Sequence, residues 1–222
     1  MSRPRALLSW SSGKDSAWAL HVLRAAGEVE VVGLLSTLNA EHDRVAMHAV
    51  RRVLVAAQAR AAGLPLRIVP LPSPCSNAEY EAAIGIALAE ARDDGVDTVA
   101  FGDLFLADIR RYREQQLAQT GVRPLFPLWQ LPTAALARTM LDAGVRAHVT
   151  CVDPKQVPGS LAGRVWDASF LADLPAGADP CGENGEFHTF VSAGPMFATP
   201  LAVRAGRVVE RDGFVFADLL PA

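Results

Sequence analysis

Lysine is almost missing from this sequence. Of 21 basic residues only Lys14 and Lys155 are lysine, and the rest are arginine. Cysteine is scarce as well: Cys75, Cys151 and Cys181 are odd in number and far apart, with no CxxC pair and no HExxH. This excludes a disulfide framework and gives a structural zinc site no support. The three are read as reduced structural thiols. No apolar run approaches the roughly 18 residues a membrane-spanning helix needs. Two arginines near the start precede only the short apolar stretch 6–10, too little for the core of a signal peptide. A soluble, cytoplasmic protein is expected. The net charge is −3, and no basic surface shows in the totals, so neither nucleic acid nor a membrane is an expected partner. What is present is globular: half the 222 residues are apolar, 20% are charged, and no repeat or low-complexity tract interrupts them. That length suits one α/β domain, or a domain with a small appendage. The oligomeric state is left open between a single chain and a homo-oligomer.

The first two-thirds alternates short apolar runs with longer helical patterns. Strands are predicted over 6–10, 29–35, 66–69, 98–101 and 146–151. Helices are predicted over 16–26, 44–62, 77–94, 109–119 and 132–143, several of them stopped by glycine. This alternation implies right-handed βαβ units and a parallel five-stranded sheet sandwiched by helices, a Rossmann-like α/β fold. Beyond residue 151 helical periodicity weakens, and Gly and Pro become denser. Residues 1–151 are therefore expected to form the main domain and 152–222 a smaller C-terminal α+β region. Asp212-Gly213 in that region reads as the turn of a terminal hairpin. Ligands of such sheets bind at the carboxyl ends of the strands, which selects the loops 11–16, 37–44 and 102–108.

The strongest chemical signal is Ser11-Ser12-Gly13-Lys14-Asp15-Ser16, set between a buried strand and a helix. A glycine-bearing turn there aims free amides at an anion, and the helix dipole favours negative charge. Lys14 adds a point charge, the serines add hydroxyls, and Asp15 offers a ligand for Mg²⁺. This is the chemistry of a phosphate site. It is not a Walker A loop, because Leu8 and Asp15 stand where that motif needs Gly and Ser or Thr. Three other clusters stand out. Gly102-Asp103 ends a strand, Arg113-Glu114 lies in the next helix, and Gly182-Glu183-Asn184-Gly185-Glu186-Phe187-His188-Thr189 forms a turn-rich acidic stretch.

Together these segments resemble the diphthine–ammonia ligase family. That family is part of the PP-loop ATP pyrophosphatases and the adenine-nucleotide α-hydrolase-like superfamily. SSGKDS resembles the SGGxDS pyrophosphate loop, with Ser12 in place of the usual second glycine. The resemblance runs from residue 6 to about 200. It implies a PP-loop ATP-binding domain, and ATP with Mg²⁺ as cofactors. It further implies cleavage between the α- and β-phosphates, adenylation of a carboxylate and amidation by ammonium, with release of AMP and pyrophosphate. Lys14, Asp103, Glu183 and Glu186 are the candidate catalytic residues. Ser11, Ser12, Gly13, Lys14, Asp15, Ser16, Ser36, Thr37, His48 and Gly102 are candidates for binding the nucleotide, and Asp15 for the metal. Arg113, Asn184, Gly185 and His188 are candidates for the substrate. Lys14 is expected at a ligand site rather than in the core, so that Lys14→Ala would spare the fold.

The arginine-for-lysine skew, with abundant alanine, points to a GC-rich bacterial genome. In a bacterium the acceptor would be a carboxylate other than diphthine, whose carrier belongs to archaea and eukaryotes. Two further readings stand beside the ligase. One is a PP-loop tRNA sulfurtransferase, against which the scattered cysteines and a pI near 5.9 count. The other is a non-catalytic adenine-nucleotide-binding module.

Overall fold

The computed structural model describes residues 2–222. Its elements run β1 (Arg5–Ser9), α1 (Lys14–Ala26), β2 (Glu30–Asn39), β3 (Arg44–Val45), α2 (Arg52–Ala62), β4 (Leu66–Leu71), α3 (Asn77–Asp93), β5 (Thr98–Ala100), α4 (Ala107–Ala118) and β6 (Arg123–Leu125). There follow α5 (Thr133–Asp142), β7 (Arg146–Val152), β8 (Val165–Trp166), α6 (Ala168–Ala172), β9 (Phe187–Ala193), β10 (Val203–Arg211) and β11 (Phe214–Pro221).

The first sheet is six-stranded and mixed. β2 pairs in parallel with β1 and with β4, β1 with β5, and β5 with β6. The short β3 pairs antiparallel with the end of β2. β1 lies inside the sheet and is buried on both faces, which is why its middle reads as a continuous apolar run. Alternation then sorts the side chains. Leu8, Leu34 and Leu38 point to the face that carries α1 and α2, while Leu7 and Leu35 point to the face that carries α3 and α4.

Two expectations are corrected. The strand predicted over 146–151 does not close the parallel sheet. It is β7, the centre of a second, antiparallel sheet in which it pairs with β8, β9 and β11. The place beyond β5 is taken instead by β6, three residues that include Pro124, tolerable because an edge strand need not donate on its outer side. The helix predicted over 44–62 begins only at Arg52. Residues 44–51 form β3 and a tight turn closed by an Arg44–Arg51 bridge, with Met47 and Ala49 at φ 58° and 53°. Clamping explains it. Arg44 and Arg51 both reach Asp218 of β11, at 2.8 and 2.6 Å, and so hold the two ends of the turn together. The C-terminal hairpin forms with Asp212 and Gly213 both at positive φ, as a tight hairpin turn requires.

One apolar core joins the sheets. Trp166, Phe170, Phe187 and Phe190 from the second sheet region pack in the same cluster as Leu8, Leu20 and Leu34 from the first. Among the described residues no helix is long and apolar enough to cross a membrane.

Candidate active site

The loop between β1 and α1 has a demanding shape. Ser12 sits at φ +72°, the left-handed region where a Cβ costs about 1 kcal/mol, so a glycine is the easier residue there. Ser12 is fully buried, and its hydroxyl has no partner among the described residues. Its carbonyl is what is held. It accepts from the Val191 amide at 3.0 Å and from Gln58 Nε2 at 3.0 Å. Gln58 also donates to the Val191 carbonyl at 2.7 Å and accepts from Trp10 Nε1 at 2.9 Å. One buried amide thus ties the loop, β9 and the end of β1 together. Sequence reasoning passed over Gln58. The signal was there: it is a polar residue on the apolar face of α2, beside Leu54, Val55 and Ala62.

Gly13 follows as the N-cap of α1 and has no side chain to cap it, so apart from the Lys14 amide, which Thr189 takes, the first turn presents amides to an anion. A Cβ at Gly13 would come within 2.8 Å of the His48 ring. Gly102, just past β5, lies against the same turn, and a Cβ there would be 2.9 Å from the Asp15 carbonyl carbon and the Ser16 amide nitrogen. Ser16 Oγ donates to the Gly13 carbonyl at 3.0 Å and lies 3.2 Å from Ser11 Oγ. Ser11, Ser16, His48 and Gly102 line a cleft of about 250 Å³, walled on its other side by residues from 181–189.

Lys14 lines the cleft, but it is not the free side chain expected there: it is 2% exposed and belongs also to the buried junction of the two sheets. Its ammonium donates to Asp15 Oδ2 at 2.9 Å and to the Cys181 carbonyl, and lies over the rings of Trp166 and Phe187. Burial is the largest influence and opposes its charge, but the acidic groups around it, Asp15 foremost with Glu183 beyond, together hold the pKa above its ordinary value. Its backbone amide donates to Thr189 Oγ1 at 3.1 Å.

The acidic stretch divides. Glu183 faces the cleft, where Oε1 accepts from the amides of Leu104 and Phe105 at 2.7 and 3.3 Å. Burial pushes its carboxyl up to about 7, against those two amides, and the nearby Asp15 and Asp103 carboxylates add to the push. Glu186 turns away from the cleft. It is 2% exposed, accepts from the amides of Asp179 and Asn184 at 2.8 and 2.9 Å, and so folds its own loop. Asn184 is exposed and donates from its side chain to Glu186, outside the cleft. Gly185 and His188 line the cleft.

The His48 and His188 rings lie 4.7 Å apart between centroids, tilted by 44°. Burial holds both rings neutral, with pKa values of about 4 and about 3. His48 Nδ1 donates to the Thr189 carbonyl at 3.0 Å, which fixes the tautomer and leaves Nε2 as an acceptor. His48 reaches this place from the turn before α2, not from a helix. Arg113 is engaged by Asp103, Nε to Oδ2 at 2.6 Å, and stacks over Phe101. Thr37 lines a neighbouring apolar pocket, whereas Ser36 faces the opposite side of the sheet with a buried, unpartnered hydroxyl among the described residues. Of the expected residues, Ser12, Gly13, Ser36, Thr37, Asn184 and Glu186 therefore do not line the cleft.

Two family models match this chain. The diphthamide synthase N-terminal domain matches residues 4–124, and the diphthamide synthase C-terminal domain matches residues 132–216. The chain belongs to the diphthamide synthase family. The first match holds every strand of the first sheet but the last residue of β6, and the second begins before β7. Among curated proteins it is similar to the diphthine–ammonia ligase of Danio rerio, 28% identical over 94% of this chain and 90% of that protein. The Bos taurus diphthine–ammonia ligase is 25% identical over 94% and 86%. The Homo sapiens one is 24% identical over the same shares. The similarity spans both sheets and so includes both sides of the cleft.

Proposed function

We propose that this chain is an ATP-dependent, AMP-forming ligase that turns a carboxylate into an amide with ammonia. The observation that carries the reading is one cleft with two opposed walls. On one side is the start of α1, where Thr189 takes the Lys14 amide and the amides of Asp15 and Ser16 are left to attract phosphate. On the other is Glu183, a carboxyl titrating near neutral pH. A carboxylate is a poor electrophile. Its oxygen attacks the α-phosphorus, the bond to the β-phosphate breaks, and pyrophosphate leaves. Ammonia then attacks the acyl carbon and AMP is expelled. Amides of the α1 turn stabilise the charge that grows on the departing pyrophosphate, and the buried Lys14 ammonium offsets the Asp15 carboxylate beside it. Glu183 takes the proton that ammonium must lose before its nitrogen can attack.

Asp15 Oδ1 is buried and has no partner among the described residues, which fits a divalent cation. Mg²⁺ held there would neutralise the phosphate oxygens. The second sheet region is the substrate platform, since it supplies Glu183, Gly185 and His188. The relatives' name makes diphthine the first acceptor to try, and the arginine-rich composition argues for screening other carboxylates beside it.

A sulfurtransferase reading finds little support. Burial pushes the Cys151 thiol up to about 12 and the Cys181 thiol well above its ordinary range, so neither supplies a thiolate.

The test is product analysis with ATP, Mg²⁺, ammonium and a pool of cellular carboxylates and proteins. AMP and pyrophosphate are expected, dependent on both ammonium and acceptor. ADP would overturn the reading. Tight ATP binding with no product under any acceptor would favour a nucleotide-binding module.

A further inference from the structure

The turn that carries His48 is not held by its own residues. His48 lines the cleft, and Met47 and Ala49 on either side of it take left-handed φ of 58° and 53°, a costly backbone for residues with a Cβ. Ala46 and Met47 are exposed, so packing does not fix the tip. What fixes it lies behind. Arg44 Nη1 donates to the Ala49 carbonyl at 2.6 Å and to Asp218 Oδ1 at 2.8 Å. Arg51 grips the same carboxylate with two nitrogens, Nε to Oδ1 at 3.1 Å and Nη2 to Oδ2 at 2.6 Å. One carboxylate thus closes both ends of the turn, and the two-pronged arginine fixes direction as well as distance. Asp218 itself lines neither the cleft nor the pocket beside it.

The C-terminal hairpin is shaped to aim that carboxylate. Asp218 stands opposite a bulge in β10, between the pairs Ala205–Leu219 and Val208–Ala217. Bulges commonly re-aim a side chain near a site. Gly206 in the bulge leaves the room, since a Cβ there would be 3.0 Å from Asp218 Cβ. Burial is the largest influence on Asp218 and opposes its charge, but Arg51 and Arg44 together hold its carboxyl down at about 2. The clamp is therefore charged near neutral pH.

We propose that Asp218 is a positioning residue for the cleft: through Arg44 and Arg51 it sets the His48 ring against the β1–α1 loop. The seat for that ring is narrow. Nδ1 donates to the Thr189 carbonyl at 3.0 Å, and Cε1 would be 2.8 Å from a Cβ at Gly13. The inference rests on the ligase reading only in taking the cleft as the place where phosphate binds.

The experiment reads the ring and the cleft separately. Long-range proton–nitrogen NMR shows which ring nitrogen carries the proton, with the His48 signals identified by their loss in His48→Gln. The wild type should show Nδ1 protonated and Nε2 bare. In Asp218→Ala the two nitrogens should average, and calorimetry should find tripolyphosphate with Mg²⁺ bound about tenfold more weakly. Asp218→Asn keeps an acceptor for Arg44 and for Arg51 Nε. It should fall between, and it decides by the same readouts if the alanine variant does not unfold cooperatively. Adding Asp218→Ala to His48→Gln should weaken tripolyphosphate no further. Wild-type ring signals or wild-type affinity in a folded Asp218→Ala protein would overturn the inference, whatever its melting temperature. So would a further loss in the double variant. A wild type that binds no tripolyphosphate would remove the phosphate reading, and the ring signals would still decide the clamp.

Discussion

Glu183 and Glu186 are three residues apart in one glycine-rich turn, and their environments give them opposite work. Glu186 has both oxygens occupied by amides of its own loop. Glu183 spends one oxygen on Leu104 and Phe105 and turns toward the cleft, where burial holds its pKa at about 7. The raised value has a sign. The protonated form is the one the fold favours, so its stabilising contribution is complete below the ordinary value of 4.5 and is lost as pH rises through about 7. A base must be ionised to act. Turnover should therefore rise with pH through about 7 while stability falls over the same range. Glu183→Gln should lower kcat by roughly 100-fold or more and flatten both dependences. A pH–rate profile unchanged in the variant would show that the base lies elsewhere. The sequence could not separate the two glutamates, because the choice depends on which oxygen faces an amide. Ser12 was more legible. It occupies a glycine position, and the left-handed backbone there is the reason that position favours glycine.

Elements carry the next constraint. The end of β5 and the first turn of α1 touch at Gly102, where a methyl group would meet backbone atoms at 2.9 Å. Backbone cannot swing aside as a side chain can, so Gly102→Ala must part the two elements. It should cost about 2 kcal/mol in denaturant unfolding and weaken binding of tripolyphosphate at the α1 turn. A variant of unchanged stability and phosphate affinity would mean that the contact relaxes freely. Gly13 matters to the site for a like reason, since its missing Cβ lets the His48 ring close on the loop. Most βα units were readable because glycine stops and apolar runs are local signals. The capping box at Ser76 and Glu79 marks the start of α3 in the same way. Two elements were not readable. Residues 44–51 have helix-forming alanine and arginine, yet the pull of Asp218 on Arg44 and Arg51 comes from 167 or more residues away. The run 146–152 is plainly a strand, but periodicity does not say which strand it pairs with, and three residues around Pro124 give no period at all.

At the scale of the molecule, the two sheets are joined through the β1–α1 loop itself. The Ser12 carbonyl, the Lys14 amide and the Lys14 ammonium all bond to residues of the second region. A loop that was expected to hold only a ligand thus also fastens the two halves. This coupling has a consequence for the most obvious variant. Lys14→Ala leaves the Cys181 carbonyl without its donor and Asp15 without its cation, in a place that is almost closed to water. Asp15 is a quarter exposed, so breaking the pair costs less than the about 3–5 kcal/mol of a fully buried one, and the truncated stem adds a gap between Trp166 and Phe187. The variant should therefore melt well below the wild type as well as lose turnover, and its loss of activity alone would say nothing about catalysis. Lys14→Met separates the effects, since it fills the same space between the two rings without a charge. It should recover part of the stability lost in Lys14→Ala and none of the turnover, because the cleft has lost its buried cation. Full turnover in a folded Lys14→Met protein would mean that the lysine serves only to fasten the sheets, and that the amides of α1 hold the phosphates by themselves.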